Sequence, residues 1–199
     1  MQLLLIRHAL PELAEVTEGR ADPALTDEGH AQAHRLPAAL APYKISGLFS
    51  SPQKRALETA APVAETLALP VTEHAGLAEY DSDQSHYVPM HEAMERAPET
   101  YARIKAGWLP EFVDADAFRS RVLGAIDDIV ASTDNDATVA VFCHGGVVNI
   151  VLQELLELER PLTFPIEYVS VTRILVSRNG NRRVASINET GHVRNMLRV

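Results

Sequence analysis

The sequence predicts an α/β fold: a three-layer α/β/α sandwich around a mostly parallel sheet, with a helical cap insertion and a closing C-terminal hairpin. Three observations carry this reading. Short continuous apolar runs, Leu3-Leu4-Leu5-Ile6 and residues 138–142, have the pattern of strands buried on both faces. Stretches of helical periodicity lie between the strand patterns, so strand alternates with helix. Near the C terminus two further apolar stretches flank Asn179-Gly180, a strong hairpin-turn pair.

In chain order, residues 3–6 form the first strand, and a polar stretch, residues 9–25, is too long for a simple connector and is a candidate functional loop. Thr26 can cap a helix whose first turn holds Asp27 and Glu28, running to about Leu40. Residues 47–50 make a short strand. Pro52 suits the start of a helix that reaches about Leu69 before Pro70 breaks it, and residues 71–73 make a third strand. From 76 to 110 the alternation is lost: Tyr80, Tyr87, Met90, Met94, Tyr101 and Trp108 are interspersed with prolines and charges, as in a helical cap lying over a site. Phe118, Val122, Ile126, Ile129 and Val130 share one face of an amphipathic helix over 114–132. A helix over 147–158 follows the second apolar run, and strands at 169–177 and 182–188 form the hairpin.

At 199 residues with 46% hydrophobic content, the chain suits one well-filled core, so residues 1–199 are read as a single domain with its cap at about 76–110. The net charge of -9 argues against a nucleic-acid partner or an anionic membrane surface, which favour basic patches. One cysteine, Cys143, excludes an internal disulfide framework. The N-terminal apolar run is interrupted by Arg7 and His8, unlike a signal peptide, and no later run reaches membrane length. The expected setting is cytoplasmic. A homodimer is compatible with the sequence, though no self-complementary segment marks one.

Both apolar runs end in polar groups, Arg7-His8 and Cys143-His144-Gly145-Gly146, at what becomes the carboxyl edge of the sheet. Open α/β folds bind ligands there. Arg7-His8-Ala9, the stretch from Ser51 to Ala60, Leu77-Ala78-Glu79, His144-Gly145-Gly146 and the stretch from Asp22 to Gly29 occur in an order that resembles the histidine phosphatase (phosphoglycerate mutase-like) superfamily. Two positions depart from the family pattern. Ala9 stands where glycine is usual, and Asp81-Ser82-Asp83 follows Glu79 without a glycine.

The resemblance implies a metal-independent, cofactor-free phosphatase acting on a small phosphorylated substrate, with His8 as the nucleophile that forms a phosphohistidine. Arg7 and Arg55 are planar forks suited to phosphoryl oxygens, His144 adds a donor, and N–H groups near Gly145 would open a helix toward the same anion. Glu79 matches the family's Leu-x-Glu segment and is the candidate acid for the leaving group. The nearby arginines should keep His8 neutral. Two alternatives stay open: mutase-type phosphoryl transfer, and a non-catalytic phosphate-binding regulatory protein on the same fold. A phosphohistidine-protein substrate also stays open, against which the cap argues.

Other signals are read structurally. Cys143 lacks the Cys-x5-Arg spacing of a cysteine phosphatase, because Asn149 stands at that position, and is expected as a small buried hydrophobe. His30 and His34 are spaced as metal ligands on a helix can be, but no glutamate follows His30 and no third ligand is evident. Tyr87, Tyr101 and Trp108 are expected on the apolar underside of the cap.

Overall fold

Leu3, Leu4, Leu5 and Ile6 are each fully buried, as a strand covered on both faces requires. They form the centre of β1 (Gln2–Arg7) in a computed structural model that describes residues 1–197. The chain continues through β2 (Ala14–Glu15), α1 (Asp27–Ala33), α2 (Leu36–Leu40), β3 (Ile45–Ser50), α3 (Lys54–Leu67) and β4 (Val71–Glu73). Then come β5 (His86–Tyr87), α4 (Ala93–Arg96), α5 (Pro98–Lys105), α6 (Ala115–Ala131), β6 (Thr138–Cys143) and α7 (Gly145–Leu156). The hairpin of β7 (Val171–Val176) and β8 (Arg182–Glu189) follows.

The main sheet has the strand order β4-β3-β6-β1-β7-β8. β1, β3, β4 and β6 run parallel, and β7 is antiparallel to both of its neighbours. Side chains alternate across the pleat. Leu3, Leu5, Val139 and Val141 therefore meet α6 and α7 through Val122, Ile126 and Val147. Leu4, Ile6, Ala140 and Phe142 point the other way, onto the α1–α3 layer at Leu36, Ala60 and Val63. This is the expected three-layer α/β/α arrangement.

Two helices differ from the sequence pattern. The helix expected over 26–40 breaks into α1 and α2, because Pro37 lies in the first turn of α2 and a continuous helix would drive its ring against the Ala33 carbonyl. Thr26 does cap α1, accepting from the Gly29 N–H. α3 starts at Lys54 and carries Pro62 inside it, ending where Ala68 turns left-handed at φ +50°. α6 has the expected bounds, with Asp114 accepting from the Ala117 N–H. The hairpin turns at Asn179-Gly180, where Gly180 takes φ +83° and donates to the Ser177 carbonyl.

The cap comprises a 3₁₀ turn at Ala75–Leu77, then β5, α4 and α5. β5 pairs with β2, tying the cap to the long loop after β1. Among the described residues no helix is long and apolar enough to cross a membrane.

Candidate active site

The sheet register brings the two histidines together. Arg7 is level with Cys143, and the His8 N–H donates to the Cys143 carbonyl at 2.9 Å. β3 ends at the same edge, where the Ser51 N–H donates to the Phe142 carbonyl. The imidazoles of His8 and His144 are consequently 5.1 Å apart, centroid to centroid, and both are buried. His8 Nδ1 lies 2.7 Å from the Ala9 carbonyl. A carbonyl only accepts, so Nδ1 carries the hydrogen and Nε2 keeps its lone pair. Burial first, then the charges of Arg55 and Arg7, hold His8 well below the ordinary histidine range. His144 is depressed in the same way, by burial and then Arg55. Its Nε2 lies 2.8 Å from Ser51 Oγ.

Two arginines flank this pair. Arg7 donates from Nη1 to the Ile166 carbonyl and lies 4.0 Å over the Tyr168 ring. Arg55, only 1% exposed, lies 4.5 Å over Tyr87 and donates from Nη2 to Asp81 Oδ1 (2.9 Å) and Oδ2 (3.2 Å). Burial works against the Arg55 charge, but Asp81, Tyr87 and Glu79 together outweigh it and the guanidinium is held charged. Among the described residues no acceptor meets Arg7 Nε, Arg55 Nε or Arg55 Nη1, although all three are buried. Unpaired buried donors are costly. Three of them on two cations beside two histidines have the chemistry to hold a multivalent anion.

Glu79 follows the 3₁₀ turn, which Arg121 of α6 clamps by donating to the carbonyls of Gly76 (2.9 Å) and Ala78 (2.8 Å). The Glu79 carboxyl accepts from the N–H groups of Gly146 (2.8 Å) and Tyr80 (3.1 Å). Its own N–H donates to Gln53 Oε1, and Gln53 in turn donates to Asp81. Burial and then the neighbouring Asp81 charge push the Glu79 carboxyl up to about 7, against the two N–H donors and Arg55. Near neutrality such a group can both give and take a proton. These side chains line one cavity of about 540 Å³, roofed by the cap.

A family model for the histidine phosphatase superfamily (branch 1) matches residues 3–190. The chain belongs to this superfamily. It is accordingly a phosphatase, a hydrolase of phosphate esters. It is 30% identical over 147 residues to phosphoserine phosphatase 1 of Hydrogenobacter thermophilus, covering 71% of this chain and 70% of that one. Among solved structures, a mycobacterial glucosyl-3-phosphoglycerate phosphatase superposes with a TM-score of 0.77 at 21% identity, over 94% of this chain and 98% of that one. A phosphoserine phosphatase from Entamoeba histolytica, bound to 3-phosphoglyceric acid, gives 0.72 at 22% identity, over 96% and 98%. At these identities the structural likeness concerns the fold.

All six expected site residues, Arg7, His8, Arg55, Glu79, His144 and Gly145, line or border this cavity. The glycines divide the work differently from the expectation. Gly145 lies beside Arg7, whereas the N–H of Gly146 holds Glu79, and a Cβ on Gly146 would fall 2.2 Å from Glu79 Oε1. Ala9 replaces the family glycine without strain, since its backbone does not take a positive φ, and its N–H donates to Thr59 Oγ1. Sequence reasoning missed Asp81, Gln53 and Thr59, which sit within or beside the quoted motifs but acquire partners only on folding. It also missed Tyr168, from a loop with no local signal. Tyr87 and Tyr101 line the cavity as expected, but Trp108 sits outside it, beside Leu109 and Ala115. Cys143 is buried with its thiol pushed up by desolvation, unsuited to act as a thiolate. His34 caps the end of α1, and its Nδ1 donates to the His30 carbonyl.

Proposed function

We propose that the chain is a metal-independent phosphomonoesterase that works through a phosphohistidine on His8 and acts on a small phosphorylated metabolite. The observation that carries this reading is the hydrogen bond from His8 Nδ1 to the Ala9 carbonyl, which leaves a buried, neutral Nε2 lone pair among unpaired arginine donors. Arg7 and Arg55 bind the equatorial phosphoryl oxygens, where charge spreads in the transition state. A hydrogen bond donated by the Ser51 hydroxyl to His144 Nε2 leaves the hydrogen of the neutral ring on Nδ1, as a further donor.

Nε2 attacks phosphorus and the ester P–O bond breaks. The departing oxygen keeps the electron pair and takes the proton from Glu79. The Glu79 carboxylate then removes a proton from water, whose oxygen attacks the phosphohistidine, the N–P bond breaks, and phosphate leaves with His8 neutral again. Asp81 serves both halves: it holds Arg55, and its charge helps keep Glu79 protonated until the ester bond breaks. Relatives named for phosphoserine and glucosyl-3-phosphoglycerate support a small phosphorylated substrate.

The test is hydrolysis of an aryl phosphate in excess EDTA, comparing the wild type with His8→Ala. The expected outcome is EDTA-resistant activity that falls at least about 10,000-fold on substitution. Activity lost to EDTA overturns metal independence, and activity retained by His8→Ala overturns the nucleophile. Addition of a bisphosphorylated primer should still yield free phosphate rather than interconverted isomers, which separates this reading from a mutase.

A further inference from the structure

A phosphoryl group fills a small part of a cavity of about 540 Å³, so most of that space faces the alcohol half of the ester. One wall comes from the cap. Ala97, Thr100, Tyr101 and Ile104 line it at helical spacing along α5. α5 buries none of its residues, so this stripe packs into no core and is turned to the cavity instead. Val88, Met90, Phe112 and Phe164 face the same space, and Phe112 is left 50% exposed. An open apolar surface of this kind is the mark of a recognition site.

The charges point the same way. Beyond the arginines of the floor, Lys105 is the one Lys or Arg lining the cavity among the described residues, and its Nζ lies 6.0 Å from the Tyr101 ring centroid. Against it stands the carboxylate of Glu167, with the imidazoles of His86 and His91, while the charge of Asp81 is taken up by Arg55. A leaving group carrying its own carboxylate would meet no net positive charge there, at a desolvation cost that no arginine fork offsets.

We propose that the preferred substrate is the phosphate monoester of an uncharged, largely apolar alcohol seated on the inner face of α5, and not of a carboxylate-bearing alcohol. This rests on the reading of the site as a phosphomonoesterase. The cap contributes the same apolar contact in ground state and transition state, so its effect should appear in KM more than in kcat.

The experiment is a kinetic series of primary alkyl phosphates from ethyl to hexyl, compared with a hexyl phosphate bearing a terminal carboxylate. These alkoxide leaving groups are closely matched, so differences report recognition. The expected kcat/KM rises roughly two- to four-fold per methylene, and the terminal carboxylate lowers it roughly tenfold or more. In Ile104→Arg, the length dependence should flatten and the carboxylate penalty shrink or reverse. A flat series, or preference for the carboxylate ester, in a wild-type enzyme that still hydrolyses aryl phosphate overturns the substrate class alone. An enzyme inert toward every ester, aryl phosphate included, and unlabelled at His8, overturns the underlying reading and the substrate class with it.

Discussion

The floor and the cap of the cavity are built to opposite specifications. On the floor, His8, Arg55, Glu79 and His144 are between 0% and 6% exposed. Each is held by sheet register or by a second residue: the Asp81 carboxylate for Arg55, the Gly146 N–H for Glu79, the Ser51 hydroxyl for His144. In the cap, α5 has no buried residue, and Met94 and Phe112 are 61% and 50% exposed. Phosphoryl transfer tolerates little misplacement of donors and nucleophile, and the groups proposed for it sit at the rigid edge of a sheet. Recognition of the alcohol needs only shape and polarity, which a peripheral helix supplies. Floor variants should therefore change kcat and its pH dependence, and cap variants should change substrate preference.

The largest test on the floor after His8 itself is Glu79→Gln. It should slow alkyl phosphate hydrolysis roughly 100- to 10,000-fold while leaving phosphorylation by an aryl phosphate far less affected, since that leaving group needs little protonation. Burst kinetics with the two ester types check it, and equal losses on both would remove Glu79 from the acid role.

Gly146→Ala probes the same group without altering its chemistry. The added Cβ falls within 2.2 Å of Glu79 Oε1 and 2.9 Å of Tyr80 Cδ1, so the carboxyl must shift. Alkyl ester turnover should drop roughly 100-fold, with about 1–3 kcal/mol of lost stability from overpacking, measured by urea denaturation.

Asp81→Asn is subtler. It removes the charge that helps raise Glu79 and leaves the Arg55 charge unopposed, so the Glu79 carboxyl should titrate at lower pH. The wild-type rate on an alkyl ester should decline above about pH 7 as Glu79 loses its proton. In the variant that decline should begin at lower pH, while the aryl ester profile keeps its shape. Identical alkyl profiles would show that Asp81 acts on Arg55 alone.

The smallest effect is on folding. Between pH 6.5 and 4.5, the ordinary values of histidine and glutamate, the unfolded chain gains protons on His8 and His144 that the folded floor, which holds both well below the ordinary histidine value, takes up only at lower pH. The folded state alone holds a proton on Glu79 in that window. Where both histidines are charged in the unfolded chain alone, the net from these three groups is one proton more on the unfolded chain, so stability should fall as pH drops, by up to about 1.4 kcal/mol per unit. Replacing both histidines with glutamine removes their contribution and leaves that of Glu79, so the net slope from these groups should reverse sign, as followed by denaturation at several pH values.

Much of this floor was legible in the chain. Leu3 to Ile6 and Val139 to Phe142 are apolar without interruption because their strands are covered on both sides, and the residues after each run must emerge at an edge. The divided helix at Pro37 shows where local pattern failed: the apolar periodicity continued, but the proline ring could not. His8 was expected to be neutral because of the arginines, whereas burial is the larger cause and the arginines second.

The sequence by itself determined the α/β class, the strand-end Arg7, His8 and His144, and the motifs that hold Arg55 and Glu79, because strand burial and motif order are written in residues close along the chain. Only the tertiary structure decided which nitrogen of His8 is free, that Gly146 rather than Gly145 holds Glu79, and that Asp81 pairs with Arg55. It also turned the apolar stripe of α5 toward the cavity. Desolvation, Coulomb interaction and hydrogen bonding depend on distance in space, and residues 79, 81, 55 and 146 become neighbours only when the sheet and cap are assembled.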